Sequence, residues 1–434
     1  LSGRLSVCQP GPGDYNIQQP NGADVRRTTI ILTLGLAAAA APAAWQSVGP
    51  DGGYILAMAI DPRDARQLYA SPYDYPDSAR LFLSTDAGAS WTNQGRVPDA
   101  YLTSLAVDPL DHDRIYASGR GDVIHRTTDR GLNWVSTILP GYGVALAADP
   151  LAAGRLYVSG LYIHGGNFRA AAYISTNHGA SWSVAMPCPD TVGYAYAVAA
   201  DPVAAGTVYL GASGAQLFKS TDGGASWQRA SSGIPSGSSV MGVSVSPGDN
   251  RIVLAATTDG FYRTTDGGAS WQAVGAVSGA VSVEFSPVDG SLAYAVGRSD
   301  SLRVWVSTDA GETWNLPSPG YVTLKTASLH PDPAAAATAW MSSQTGIYRS
   351  TDTACNWSEA HTGLRITRIS CISPSPANGR RLYLEVHENG IFRTESAGDS
   401  WTRCSDFLAC GNICGIGVAP GTDLDVLYAL EGAG

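Results

Sequence analysis

Tyrosines set beside a few polar side chains are the residues of this sequence with the most evident capacity for surface chemistry. Residues 71–80 carry Tyr73, Asp74 and Tyr75, and residues 159–171 carry Tyr162, His164, Asn167 and Arg169. Tyr101, Tyr142, Tyr194, Tyr196 and Tyr321 lie in other turn-rich stretches. A phenol gives flat apolar area and a hydroxyl that hydrogen-bonds, which suits a saccharide or a peptide. The same tyrosines also fit a plainer reading, as fillers of solvent-facing turns in a Gly-rich β protein. Spacing leaves both open. His164 reads as an exposed loop residue, and no Ser/His/Asp set, phosphate loop, dinucleotide fingerprint or metal-binding helix occurs. Cys404, Cys410 and Cys414 lack C-x-x-C spacing and a nearby His, so disulfides or thiols come before zinc. No cofactor and no metal are expected.

The elements that must position these residues repeat. Ser84-Thr85-Asp86-Ala87-Gly88-Ala89-Ser90-Trp91 follows the pattern S/T-x-D-x-G-x-x-W, which returns at 127–134, 175–182, 220–227, 264–271, 307–314, 350–357 and 394–401. Successive Trp residues (91, 134, 182, 227, 271, 314, 357 and 401) stand 43 to 48 residues apart. That period is the period of a four-stranded propeller blade. Within one unit, strands are predicted at 102–107, 114–117 and 123–127, with a fourth from Trp134. Asp108-Pro109 ends the first strand, because Pro cannot donate to a sheet.

The fold class predicted is therefore all-β: a propeller of seven or more antiparallel blades, from eight full repeats and a partial ninth (416–419, 426–430). Ligands of such a fold sit over the channel, on the face of the second-to-third-strand loops (71–80 and 159–171) and of crossings such as 139–143. The motif itself reads as structural. Asp86, Asp129, Asp222, Asp266, Asp309 and Asp352 should accept backbone N–H groups in a tight turn, the Gly should supply positive φ, and Trp91, Trp134, Trp182, Trp227, Trp271, Trp314, Trp357 and Trp401 should pack each hairpin onto its own blade. Asn177 can substitute for Asp in the third copy. Ser396 does so in the eighth, where the loosest turn is expected.

The 434 residues carry a formal charge of −10 and only 15% charged side chains, with 50 Gly and 25 Pro. Many turns and few charges favour short strands, and the acidity argues against nucleic acid and against an anionic membrane surface. Arg26 and Arg27 precede an apolar run at 30–41 and the small residues Ala41-Pro42-Ala43, the order of an export signal. The run is too short to span a bilayer, which takes about 20 residues. Residues 1–44 are thus expected to be an upstream extension and signal peptide, and 45–434 the propeller, with a second propeller allowed near the C-terminus. A secreted or periplasmic monomer that binds carbohydrate or protein is expected.

The eight motifs resemble those of the Asp-box (BNR) superfamily, which includes sialidases, sortilin-type receptors, photosystem II assembly-factor propellers and xyloglucanase-like glycoside hydrolases. The resemblance covers residues 45–434 and implies the propeller more narrowly than any activity. Trp45-Gln46-Ser47-Val48 looks like the ring-closing strand of the assembly factors. Gly52-Gly53-Tyr54-Ile55, Asp61-Pro62 and Leu68-Tyr69-Ala70 resemble the opening of xyloglucanase-like enzymes, whose first catalytic acid follows the Tyr-Ala pair. That resemblance implies Asp74 as one catalytic carboxyl group, outside the family's usual Arg-Thr-Asp context. Hydrolysis would need a second carboxyl, roughly 5–10 Å away. Two functions follow: a glycan- or protein-binding propeller, or a glycoside hydrolase acting on polysaccharide.

Overall fold

Apolar residues alternate along short runs closed by turn pairs, and the chain folds accordingly into antiparallel sheets. The computed structural model describes residues 54–431 except 74–78, 99–101, 120, 165, 186–192, 215, 276–278, 299–301, 318–326, 344–345, 361, 363–368, 377, 379, 387–389, 399, 405–412 and 420–425. Two compact units are present. The large one is Gly52–Ile366, and the small one combines Leu1–Asp51 with Thr367–Gly434. No helix among the described residues is long and apolar enough to cross a membrane.

The large unit holds seven of the sequence repeats. Each repeat forms an antiparallel sheet whose strands follow chain order, so among the described residues none is borrowed from a distant segment. The first sheet is Ile55–Ile60, Leu68–Pro72, Arg80–Ser84 and Thr92–Arg96. The predicted strands of the second repeat are found as Leu102–Asp108, Asp111–Gly119 and Gly121–Thr127. Its fourth strand differs from expectation. Residues 139–143 were expected to form a loop crossing between sheets, but Val135–Ala148 is one continuous strand that pairs with the second repeat at one end and the third at the other. Glycines make the join possible: Gly143 faces Gly160, and a Cβ at Gly160 would overlap the Tyr142 carbonyl. In the sixth repeat the fourth strand shrinks to a single bridge, Val306 to Asn315. The small unit contains the eighth sheet, from Ile369–Pro374 to Thr402–Arg403, and the pair Ile413–Ala419 and Val426–Glu431.

At one end of each of the eight repeats the motif turn works as its composition predicts. The Thr127 hydroxyl donates to Asp129 Oδ1 at 2.6 Å and accepts the Gly131 N–H, while Asp129 Oδ1 also accepts the Asn133 N–H at 2.9 Å. Asn177 makes the equivalent bond to the Ser181 N–H at 2.9 Å. Ser396, the weakest substitute, still accepts the Ser400 N–H through its hydroxyl at 3.0 Å. Such bonds hold the carboxyls below their usual range; Asp222 and Asp266 sit at about 2, chiefly through the hydroxyls of Ser226 and Ser270. The Gly is not the only residue with positive φ. Ala87, Arg130, His178, Ala310, Thr353 and Ala397 precede it at φ of 55–61°, and Ala354 adopts 62° where other copies have Gly. The left-handed residue donates its N–H to a carbonyl near the start of the second strand, as Ala87 does to Arg66 at 3.0 Å and Arg130 to Asp113 at 3.0 Å.

The tryptophans correct the expectation that each packs on its own sheet. In the large unit each lies in an apolar cluster drawn from its own repeat and the one before. Trp271 Nε1 donates to the Ala230 carbonyl of the preceding repeat at 2.7 Å, and the Trp314 ring lies 5.0 Å from that of Phe261. Trp91, which has no described repeat before it, packs instead on the seventh, among Trp340, Ile347 and Ala360, and donates Nε1 to the Ala360 carbonyl at 2.8 Å. The indole thus bridges two repeats: Trp134 and Trp227 donate Nε1 back to their own motif turns, at Gly131 and Gly224, while packing in clusters shared with the repeat before.

Candidate functional site

The opposite end of the sheets in the large unit, where first strands begin and second strands turn into third, carries aromatic side chains in place of motif turns. Phe168 opens the strand Asn167–Ser175, and Tyr194 and Tyr196 flank the start of Ala195–Ala200. Their rings stack in a row: Phe168 to Tyr194 with centroids 6.3 Å apart, then Tyr194 to Tyr196 at 6.1 Å, interplanar angles 22° and 19°. Phe168 and Tyr194 are 47% and 40% exposed, enough to offer ring area to a ligand. The row therefore runs from a projecting hairpin to Tyr196 at the wall of the central cavity. On the first repeat Tyr54 stacks on Tyr73 at 5.5 Å, and the Tyr73 N–H donates to the Tyr54 carbonyl.

The cavity measures about 640 Å³ and is lined by the first strands of all seven repeats. Three residues before the Pro that closes each turn stand Ala59, Ala106, Ala147 and Ala199, then Ser244, Glu284 and His330. Glu284 is open to the cavity yet ringed by protein. That desolvation pushes its carboxyl up to about 8, against an opposing hydrogen bond with Ser244. The same enclosure pulls His330 down to about 4. Both are therefore largely uncharged at neutral pH.

The residues expected from the sequence divide three ways. Tyr73 is at the hairpin end and half-buried against Tyr54. Residues 159–171 were expected to form a loop but are the hairpin Leu156–His164 with Asn167–Ser175, because its alternating side chains pair in register. That register places Asn167 opposite His164 at the tip, and Arg169 opposite Tyr162 two rungs inside. Asn167 is exposed, while Tyr162 is half-buried and packs toward Tyr116, Leu156 and Tyr173. Arg169 is half-buried with its Nε enclosed. Asp74, Tyr75, Trp45 and Cys410 lie outside the described residues, as do the side chains of His164 and Cys414.

Phe168 was missed because sequence reading favoured residues with a polar handle. Ser244, Glu284 and His330 were missed because they are far apart in the chain; aligning the first strands on Pro62, Pro109, Pro150, Pro202, Pro247, Pro287 and Pro333 brings them to one level.

Comparison with known proteins sharpens the fold. A profile of the sortilin (neurotensin receptor 3) family matches residues 79–186, and one of the BNR/Asp-box repeat matches residues 305–316. A xyloglucanase of Paenibacillus sp is 26% identical over 239 residues, 44% of this chain and 22% of that protein. Another from Acetivibrio thermocellus is 28% identical over 196 residues, 42% of this chain and 20% of that protein. The matches thus span about a fifth of these relatives' length. Among solved structures, an ancestral GH74 enzyme superposes with a TM-score of 0.70 at 17% identity, covering 91% of this chain and 60% of its own. YCF48 bound to D1 peptide superposes with a TM-score of 0.50 at 17% identity, covering 70% and 93%.

Proposed function

We propose that this chain, whose repeats are those of the Asp-box (BNR) β-propeller superfamily, engages a polysaccharide at the hairpin end of its large unit as part of a secreted glycoside hydrolase. The observation that carries the proposal is the stacked row of exposed Phe168 and Tyr194 with half-buried Tyr196, which leads to the cavity wall. Flat rings bury the apolar faces of sugar rings and leave their hydroxyls to nearby polar groups such as Asn167. The kinship with xyloglucanases and the GH74-like fold favour a β-linked backbone as ligand.

In this reading the seven repeats of Gly52–Ile366 are the blades of one complete ring. Trp91, packed on Trp340 and Ala360, is its closure, and the eighth repeat opens a second propeller. Seven Trp contacts, each one repeat back and the first returning to the seventh, support a cycle. Asp74 is then one carboxyl of the pair that hydrolysis requires. About 5–5.5 Å between them would give retention, and about 6.5–9.5 Å inversion.

The test is release of reducing ends from xyloglucan by the full chain and by Asp74→Asn. Turnover abolished by Asp74→Asn supports the pair, and unchanged turnover removes Asp74 from it. A second reading has its own support: the YCF48 structure, matched along 93% of its length, holds a peptide. Peptide binding that survives the loss of Phe168 and Tyr194, with no polysaccharide bound, would favour it.

A further inference from the structure

The cavity wall of the large unit is divided. Ala59, Ala106, Ala147 and Ala199 line an arc of four repeats with methyl groups, and Ser244, Glu284 and His330 line the remaining three. Two residues earlier on these strands Ser328 adds a hydroxyl to the polar arc, while the alanine arc carries Ala57, Ser104, Ala145 and Ala197. The polar arc is internally tied: Ser244 Oγ accepts the Phe285 N–H at 3.0 Å and hydrogen-bonds Glu284, while Ser328 Oγ lies 3.2 Å from His330 Nε2 and 2.8 Å from Ser342 Oγ. Glu284 is the one carboxylic acid among the lining residues, which include no Lys and no Arg. The other titratable groups there are His330 and Tyr196. An acid thus faces the cavity, and no Lys or Arg stands among the described residues that line it.

We propose that this cavity is a binding site for a small aliphatic ammonium ion, its charged head at Glu284 and Ser244 and its hydrocarbon body against the alanine arc. An anion would oppose the carboxylate, and a bare metal ion would leave most of about 640 Å³ and the whole methyl wall unused. An alkylammonium meets both arcs. Its arrival supplies the counter-charge, so Glu284 releases its proton to solvent as the ligand binds and the site keeps its net charge. His330 stays neutral down to acid pH and puts no competing cation in the way. The site owes nothing to polysaccharide hydrolysis and stands or falls apart from it.

The test is calorimetric titration of the full chain with n-butylammonium chloride at about pH 6, 7.5 and 9, in buffers of different protonation enthalpy. A ligand with a lysine-like pKa stays charged throughout, so affinity should rise roughly tenfold or more across the series as Glu284 ionises. Close to one proton should be released per ligand bound below about pH 7. Glu284→Gln, nearly isosteric, should weaken binding at least about tenfold at the alkaline end and flatten the pH dependence. 1-Butanol, of the same shape without the charge, should bind far more weakly. No binding by the wild type, equal binding of butanol at alkaline pH, or an unaltered Glu284→Gln titration would each overturn the proposal. If Glu284→Gln loses its cooperative melt, the wild-type pH series and proton count decide.

Discussion

At the motif end of the large unit, Asp86, Asp129, Asp222, Asp266, Asp309 and Asp352 accept the same N–H four residues on, copy after copy. At the hairpin end, the residues change from repeat to repeat: Tyr54 with Tyr73 on the first, Phe168 on the third, Tyr194 and Tyr196 on the fourth. The same strands serve both ends. Repetition marks where the fold is fixed, because every sheet must solve the same turn and the same contact with its neighbour. Departure from repetition marks where a ligand can be recognised, because nothing in the scaffold requires an aromatic there. The cavity wall obeys the same logic, with four alanines and then Ser244, Glu284 and His330.

The sharpest way to break this contrast is to remove an indole at the motif end. Trp91→Ala should cost about 3–5 kcal/mol, as large buried aromatics do, because Trp91 is 5% exposed and joins the first sheet to the seventh. Urea unfolding would measure it, and a loss under about 1 kcal/mol would mean that the first and seventh sheets do not depend on each other. Asp129→Ala should cost less, about 1 kcal/mol, the usual price of a lost capping carboxylate. Neither change should alter ligand affinity once the protein is folded.

The next effect is pH dependence, and its sign follows from the cavity. An unfolded chain releases the Glu284 proton near 4.5, while the folded protein holds it until about 8. Stability from this group is therefore complete below about 4.5 and lost as pH rises toward 8. His330 behaves in the opposite sense, with its share present above 6.5 and lost as pH falls toward 4. Melting temperatures from about pH 5 to 8 should fall less steeply in Glu284→Gln than in the wild type, and His330→Asn should flatten the acid side. Parallel profiles would show that neither group is desolvated.

Much of this organisation was legible in the sequence, and what was not has a physical reason. The turn chemistry of S/T-x-D-x-G-x-x-W is local, so its hydrogen bonds could be read from eight residues. The direction in which Trp271 or Trp91 points depends on a sheet far off in the chain, with a bonded carbonyl 41 residues away for Trp271 and 269 for Trp91, which no local pattern encodes. Residues 159–171 looked like a loop because Gly, His and Asn interrupt them, yet the register from Leu156 opposite Ser175 to His164 opposite Asn167 is unbroken. Phe168 carries no polar signal, so only its place in the stacked row identifies it.

A change in affinity gives the most direct test of the central claim, that the hairpin end binds polysaccharide. Xyloglucan oligosaccharides should be titrated into the wild type and into Phe168→Ala with Tyr194→Ala. The account predicts affinity lower by about tenfold, since stacking contributes roughly 0.5–1.5 kcal/mol per ring, with the melting temperature nearly unchanged. Equal affinity in the double variant, or no oligosaccharide binding by the wild type, would contradict it.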